Sequence, residues 1–138
     1  MSRVDTTPSP PVRHLLVVDD EPHIGLLLRP EFEARGFRVS VARSLAAARA
    51  AVGSVDVMLL DLHLPDGSGM DFLREVRRLP RTPALPILIL TGEAGDRILE
   101  DVQRLGAGLL TKPFSPTKLA ARVTALVEGV APVAEDTP

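Results

Sequence analysis

The sequence predicts a doubly wound α/β domain: a five-stranded parallel sheet in the order 2-1-3-4-5, with five helices on its two faces. Two observations carry this expectation. Five short apolar runs alternate with five stretches of helical periodicity between residues 14 and 128, and such alternation implies parallel strands joined by right-handed crossovers. The runs also differ in pattern. The first, third and fourth are apolar on both faces and belong inside the sheet, while the second alternates and the fifth is short, so both belong at edges. In an open sheet of this order the binding crevice lies outside the carboxyl ends of the first and third strands.

The first strand, residues 14–18, ends in Asp19, Asp20 and Glu21, with Pro22 expected at the first helical position. Ile24, Leu27, Leu28 and Phe32 then recur at helical spacing up to Gly36. Pro30 lies inside that helix, where it removes a donor and crowds the carbonyl of Leu26, so a kink is expected. The second strand is residues 38–42, and Ser44 caps an Ala-rich helix ending near Gly53. Residues 55–60 form the third strand and deliver Asp61 to its edge, after which Pro65, Asp66 and Gly67 punctuate a loop. Ser68 with Asp71 three residues on resembles a capping box, opening a helix whose Phe72, Leu73, Val76 and Leu79 face the core. Pro80, Pro83 and Pro86 end it and stiffen the path to the fourth strand, residues 87–90, which finishes at Thr91 and Gly92. Ile98, Val102 and Leu105 mark the next helix, closed by Gly106. The fifth strand, residues 108–111, runs into Lys112, Pro113 and Phe114. Ser115 caps the last helix, with Pro116 at its first position and an apolar stripe of Leu119, Val123 and Leu126. Residues 1–11 and 130–138 are rich in Pro with Ser, Thr or acids and lack periodicity, so both are expected to be flexible, leaving residues 12–129 as the domain.

A chain of 138 residues is long enough to bury one core without disulfides, and it has no Cys, which fits a reducing compartment. No secretory leader pattern and no bilayer-length apolar run is present, so the expectation is a soluble cytoplasmic protein with no membrane partner. A formal charge of −2 supplies no bulk attraction to nucleic acid, and with no Trp, no Tyr and four Phe there is little on which bases could stack. Arg74, Arg77, Arg78 and Arg81 share roughly one helical face, but Asp71 and Glu75 dilute it, so a solvated surface is the better reading and no direct nucleic-acid binding is expected. His14 and His23 read as ordinary surface or strand-end residues, since no third nitrogen or sulfur ligand accompanies them.

Placing the chemistry by strand end rather than by sequence changes its meaning. Asp19 and Asp20 leave the first strand, Asp61 the third, Thr91 the fourth and Lys112 the fifth, so all five converge on one rim. Three carboxylates in one pocket repel each other unless a cation joins them. An all-oxygen donor set favours Mg²⁺, with Mn²⁺ possible, over zinc. The hydroxyl of Thr91 and the ammonium of Lys112 would then face the oxygens of a small anion seated on Asp61.

These motifs are similar, in order and spacing, to the receiver domain of two-component response regulators, and residues 13–129 resemble that CheY-like, flavodoxin-like family. Asp19, Asp20 and Glu21 resemble its acidic pair; Asp61 followed by Leu64, Pro65, Asp66, Gly67, Ser68 and Gly69 resembles its phosphoacceptor loop; Thr91 with Gly92 matches its switch hydroxyl, and Lys112 with Pro113 and Phe114 its lysine and following proline. The resemblance implies that Asp61 takes a phosphoryl group from the phosphohistidine of a sensor histidine kinase or phosphotransfer protein, or from a small phosphodonor. It implies Mg²⁺ held by Asp20, Asp61 and the backbone carbonyl of His63, with Asp19 reaching the ion through water, and a cis peptide between Lys112 and Pro113. His63 and Glu93 would flank the path of the water that hydrolyses the acyl phosphate and would tune its lifetime modestly. Leu109 stands where the family has an aromatic switch residue, and the segment 106–112 is one residue shorter than the family leads one to expect. A smaller or differently routed change is therefore expected on the face of the fourth helix, fifth strand and fifth helix, which is also the expected face of a homodimer. Ile98, Leu99, Val102 and Leu105 are expected mostly in the core, with Leu99 the candidate for an exposed contact instead.

The leading expectation is thus a phosphorylation-dependent switch that catalyses only its own phosphorylation and dephosphorylation. A haloacid-dehalogenase-type phosphatase also needs an aspartyl nucleophile at a strand end, but it calls for a second Asp two residues later, where His63 stands, and for a cap domain that has no room here. A pseudo-receiver serving only as an interaction module would not need the full set of five residues. No helix-turn-helix or catalytic domain is visible after residue 130, which suits a stand-alone regulator or a piece of a longer chain.

Overall fold

The computed structural model describes residues 12–80, 82, 84–92 and 95–129. Within them the elements run β1 Arg13–Val18, α1 Ile24–Ala34, β2 Phe37–Ala42, α2 Leu45–Ala51, β3 Val57–Asp61, α3 Gly69–Arg78, β4 Ile87–Thr91, α4 Asp96–Arg104, β5 Gly108–Thr111 and α5 Pro116–Glu128. The five strands are parallel and ordered β2-β1-β3-β4-β5. This is the expected order, and the burial pattern explains it: every residue of β3 and β4 is buried, whereas β2 alternates and β5 stays partly exposed. The arm 1–11 and tail 130–138 lie outside the described residues.

Because successive strand residues point to opposite faces, the sheet builds two cores. Leu16, Val18, Met58, Leu60, Ile87 and Ile89 pack against Phe72, Leu73 and Val76 of α3 and Val102 of α4. On the other face Leu15, Val17, Leu59, Leu88 and Leu90 pack against Leu28 and Phe32 of α1 and Leu119 and Val123 of α5. Phe32 meets Phe37 edge to face at 5.4 Å, closing the turn between α1 and β2.

Four local departures from the sequence expectation have identifiable causes. Pro22 lies in a turn and α1 starts at Ile24, because the Glu21 carbonyl accepts the Ile24 N–H and holds that turn outside the helix. Helix α1 then runs on through Pro30 to Ala34. Leu27 is on the solvent side of α1, 51 % exposed, with Leu26 beside it at 76 %. Position 24 and its i+4 and i+8 neighbours make the buried stripe, and position 27 falls just off it. Leu99 is likewise exposed, at 38 %, since Val102 is the buried residue of α4. Finally, Ser68 accepts the N–H groups of Met70 and Asp71 at 3.1 and 3.4 Å, but Asp71 pairs with Arg74 at 3.0 Å, so the cap is a serine cap with its acid turned to solvent.

The loop after β3 is more structured than its Pro-Asp-Gly composition suggests. His63–Leu64 pairs antiparallel with Gly67–Ser68, making a two-residue hairpin with Pro65 and Asp66 at its tip. The tip is fastened to another element. Asp66 accepts the N–H of Leu45 at 2.7 Å and of Ala46 at 3.0 Å, while Ser44 accepts that of Ala47 at 3.1 Å, so three orphan donors at the start of α2 are satisfied. Those backbone donors hold the Asp66 carboxyl below the ordinary carboxylate range. A carboxyl depressed in the folded state stabilises it above about pH 4, and this contribution is lost as pH falls through the folded value. Asp66→Ala should therefore lower the urea midpoint at neutral pH, with the gap to wild type narrowing in acid below about pH 4; a pH-independent gap would contradict this role.

Candidate functional site

The register of the sheet decides which side chains meet. Val18 lies opposite Leu60, so Asp19 and Asp61, each one residue further on, leave β1 and β3 side by side. Thr91 lies opposite Thr111 across β4 and β5, and the Lys112 N–H donates to the Thr91 carbonyl at 2.8 Å. Hydrophobic burial of four strands thus sets the position of every polar group at the rim.

Asp19 is 1 % exposed, Asp61 8 % and Thr91 0 %, while Asp20 faces solvent. Carboxylate oxygens of Asp19, Asp20 and Asp61 lie within 4.8 Å of one another. The Lys112 ammonium reaches Asp61 Oδ2 at 3.2 Å and Asp19 Oδ2 at 3.5 Å. The Lys112–Pro113 peptide bond is cis. Asp19 Oδ1 accepts the Glu21 N–H at 3.0 Å, and Asp61 Oδ1 accepts the His63 N–H at 3.3 Å.

The electrostatics are unevenly balanced. Burial raises the pKa of the Asp19 carboxyl, with the Glu21 N–H and Lys112 opposing the rise and Asp61 adding to it. Burial alone would lower the Lys112 ammonium, but the carboxylates of Asp19 and Asp61 outweigh it and hold the group above the ordinary lysine value. One ammonium against three carboxylates leaves negative charge unmatched, which is the condition under which a divalent cation binds. The donor set is oxygen only, with no imidazole or thiolate in the cluster, and that chemistry suits Mg²⁺.

Other residues singled out in the sequence fall into place less tightly. His63 is exposed at the start of the hairpin, held near the site by its backbone N–H. Glu93 lies outside the described residues. Leu109 is partly buried and packs on the α3 and α4 side of the sheet, in the same cluster as Ile98 and Val102.

The chain is recognised by the family model of the response regulator receiver domain over residues 15–124. It belongs to that family. Receiver domains are signalling modules switched by phosphorylation; they generally interact with histidine kinases or phosphotransfer proteins and generally bind Mg²⁺. Among curated relatives this receiver is 34 % identical over 126 residues to the phosphate regulon transcriptional regulatory protein PhoB of Escherichia coli, covering 88 % of this chain and 55 % of PhoB. It is 37 % identical over 115 residues to the transcriptional regulatory protein CpxR of Klebsiella pneumoniae, covering 82 % of this chain and 48 % of CpxR. The receiver spans about half the length of the curated relatives it matches. Among solved structures, the chemotaxis response regulator CheY4 of Vibrio cholerae superposes with a TM-score of 0.76 at 28 % identity, over 84 % of this chain and 99 % of that one. A CheY-like receiver domain from Methanospirillum hungatei gives 0.78 at 23 %, over 87 % and 97 %, a likeness of fold. No helix among the described residues is long and apolar enough to cross a membrane.

One residue that the sequence offered only as part of the loop after Asp61 matters for the position of Asp61. Gly69, the first residue of α3, donates its N–H to the Leu62 carbonyl at 2.8 Å, and a Cβ there would collide with the carbonyl oxygen of Asp61. The sequence signal was present, a glycine next to an N-cap serine, but its meaning depends on a close approach that only the fold supplies. Gly69→Ala should cost about 1–3 kcal/mol in urea unfolding, the range for overpacking; a loss below about 0.5 kcal/mol would mean that the Asp61 backbone shifts freely.

Proposed function

We propose that Asp61 is the phosphoacceptor of this receiver and that Asp19, Asp20, Thr91 and Lys112 manage the charge it gains. The observation that carries the reading is the meeting of three carboxylates on the open rim of the sheet, with the Lys112 ammonium 3.2 Å from Asp61 and 3.5 Å from Asp19. An Asp61 carboxylate oxygen attacks the phosphorus of a phosphohistidine, or of a small phosphoramidate; the P–N bond breaks, an acyl phosphate P–O bond forms, and the departing nitrogen takes a proton. Asp20, Asp61 and the His63 carbonyl would hold Mg²⁺, with Asp19 acting through water; the oxygen-only cluster of the three carboxylates supports an ion there. The ion supplies neutralisation of the phosphoryl oxygens during transfer. Lys112, already poised on Asp61, exchanges that contact for the new phosphoryl oxygens. Thr91 offers its hydroxyl from the neighbouring strand, and its approach transmits the added charge to α4.

The same module catalyses its own phosphorylation and the later hydrolysis of Asp61, with His63 and Glu93 tuning the lifetime. Leu109 already packs against the core on the α3 and α4 side of the sheet, so the response is smaller than an aromatic swing or takes another route. Leu99, exposed on α4, contributes to a homodimer through the α4, β5 and α5 face. The domain proper is residues 12–129, and the protein acts in the cytoplasm without touching nucleic acid through this domain. A kinase must approach Asp61 over the rim, and the exposed Leu26 and Leu27, one turn into α1, offer the apolar contact nearest to Glu21 and Pro22.

With Mg²⁺ and phosphoramidate the wild type should gain the mass of one phosphoryl group in a base-labile linkage, and Asp61→Asn should gain none. No gain in the wild type, or an equal gain in the variant, would overturn the assignment. Leu27→Asp should be phosphorylated normally by phosphoramidate but at least about tenfold more slowly by a cognate histidine kinase, as expected for a lost contact of about 1.4 kcal/mol; equal slowing with both donors would remove α1 from the kinase contact.

A further inference from the structure

β2 forms one border of the sheet, and among the described residues β1 is its only partner. Its register against β1 is unbroken from Phe37 to Ala42, and no proline interrupts it. β5, at the opposite border, has four residues to the six of β2. Alternate residues of a strand turn their N–H and C=O to the same side. The Ala42 carbonyl accepts the Asp19 N–H from the β1 side, so Arg38, Ser40 and Ala42 face inward, while Phe37, Val39 and Val41 turn their backbone groups outward. A regular edge of this kind is a template on which another chain can add as a strand.

One of these outward groups is occupied. Arg29 of α1 donates Nη2 to the Val39 carbonyl at 3.2 Å, and Val39 is the middle member of the outward set. The guanidinium reaches it across Gly25, one turn earlier in α1, where a Cβ would stand 2.5 Å from Arg29 Nη1. Glycine weakens a helix interior relative to alanine. At residue 25 the missing side chain is what opens the path of Arg29 to the edge. Glu33, on the following turn, has its carboxylate 4.0 Å from Arg29 Nε. Arg43, just past the end of β2, donates Nη2 to the Pro22 carbonyl at 3.1 Å, and a cleft of about 330 Å³ beside Val41 lies between the two arginines.

We propose that Arg29 guards the open edge of β2 against strand addition by a second copy of this chain. A second copy is the fitting occupant because the edge complements itself. In antiparallel pairing about a two-fold axis at Val39, Val39 faces Val39 and Phe37 faces Val41, so each outward N–H meets an outward carbonyl. Arg29 opposes that pairing in two ways. Its Nη2 occupies the carbonyl at the centre, and the same two-fold would bring the Arg29 guanidiniums of both copies together, where like charges repel. The guard does not depend on the chemistry at Asp61.

The test is sedimentation velocity over a range of concentrations, joined to residue-resolved amide exchange, on the full chain as wild type, Arg29→Leu, Arg29→Lys and Gly25→Ala. In the wild type the outward amides of Phe37, Val39 and Val41 should exchange at rates independent of protein concentration. Arg29→Leu should associate at least about tenfold more tightly than the wild type and should slow those three amides by about tenfold between dilute and concentrated samples. Gly25→Ala, which favours the helix and keeps the arginine, should move both readouts the same way as its Cβ displaces the guanidinium. It decides the matter should Arg29→Leu fold poorly. Arg29→Lys keeps the charge without the fork and should fall between the wild type and Arg29→Leu. The guard is overturned if Arg29→Leu and Gly25→Ala associate no more than the wild type, if their association leaves the three amides unprotected, or if those amides in the wild type are themselves protected as concentration rises. Protection in Arg29→Leu that does not depend on concentration would put a segment of the same chain on the edge and overturn the second copy as its occupant.

Discussion

The crowding of like charge at the rim is the constraint on which the rest of this molecule depends. Asp19 and Asp61 emerge from adjacent central strands with their carboxylates buried, Asp20 sits beside them, and Lys112 is the one cation among the described residues seen to pair with them, from the sheet's edge. Repulsion of this kind destabilises a fold and is tolerated where it serves a site. What holds the acids in place is apolar: β3 and β4 are buried along their whole length, and their register leaves no freedom in where the following residues emerge. The core therefore fixes the geometry, and the geometry creates a demand for positive charge of the kind a divalent cation meets.

The loop carrying the nucleophile is held as firmly as a loop can be. Its hairpin is sewn to α2 by Asp66, and its return into α3 passes so close to Asp61 that only glycine fits at residue 69. These contacts fix the backbone on either side of Asp61. The amino-terminal half of α4 is less buried: across residues 96–100 only Ile98 is partly buried.

Much of this was legible in the sequence, for reasons that are local. Uninterrupted apolar runs identify central strands, alternation identifies β2, and acids directly following such runs must appear at one rim; nothing beyond periodicity and the crossover rule is needed. The five rim residues were readable for the same reason. What escaped depends on contacts between segments far apart in the chain. Asp66 looked like a turn former, and its role as the cap of α2 requires the 20-residue separation to close in space. Arg77 looked like one of several surface arginines, and only the packing of α3 beside α4 shows its three backbone acceptors. Leu27 and Leu99 fit helical spacing as well as their buried neighbours do, and spacing alone cannot say where the edge of a buried stripe falls.

The most direct measurement of the central claim is chemical mapping of the modified residue. The full chain is treated with Mg²⁺ and phosphoramidate, reduced with borodeuteride, which converts an aspartyl phosphate to deuterated homoserine, and digested for peptide sequencing by mass. The account predicts deuterated homoserine at position 61 alone, dependent on Mg²⁺. Label at Asp19 or Asp20 instead, or no label anywhere in the chain, would contradict it.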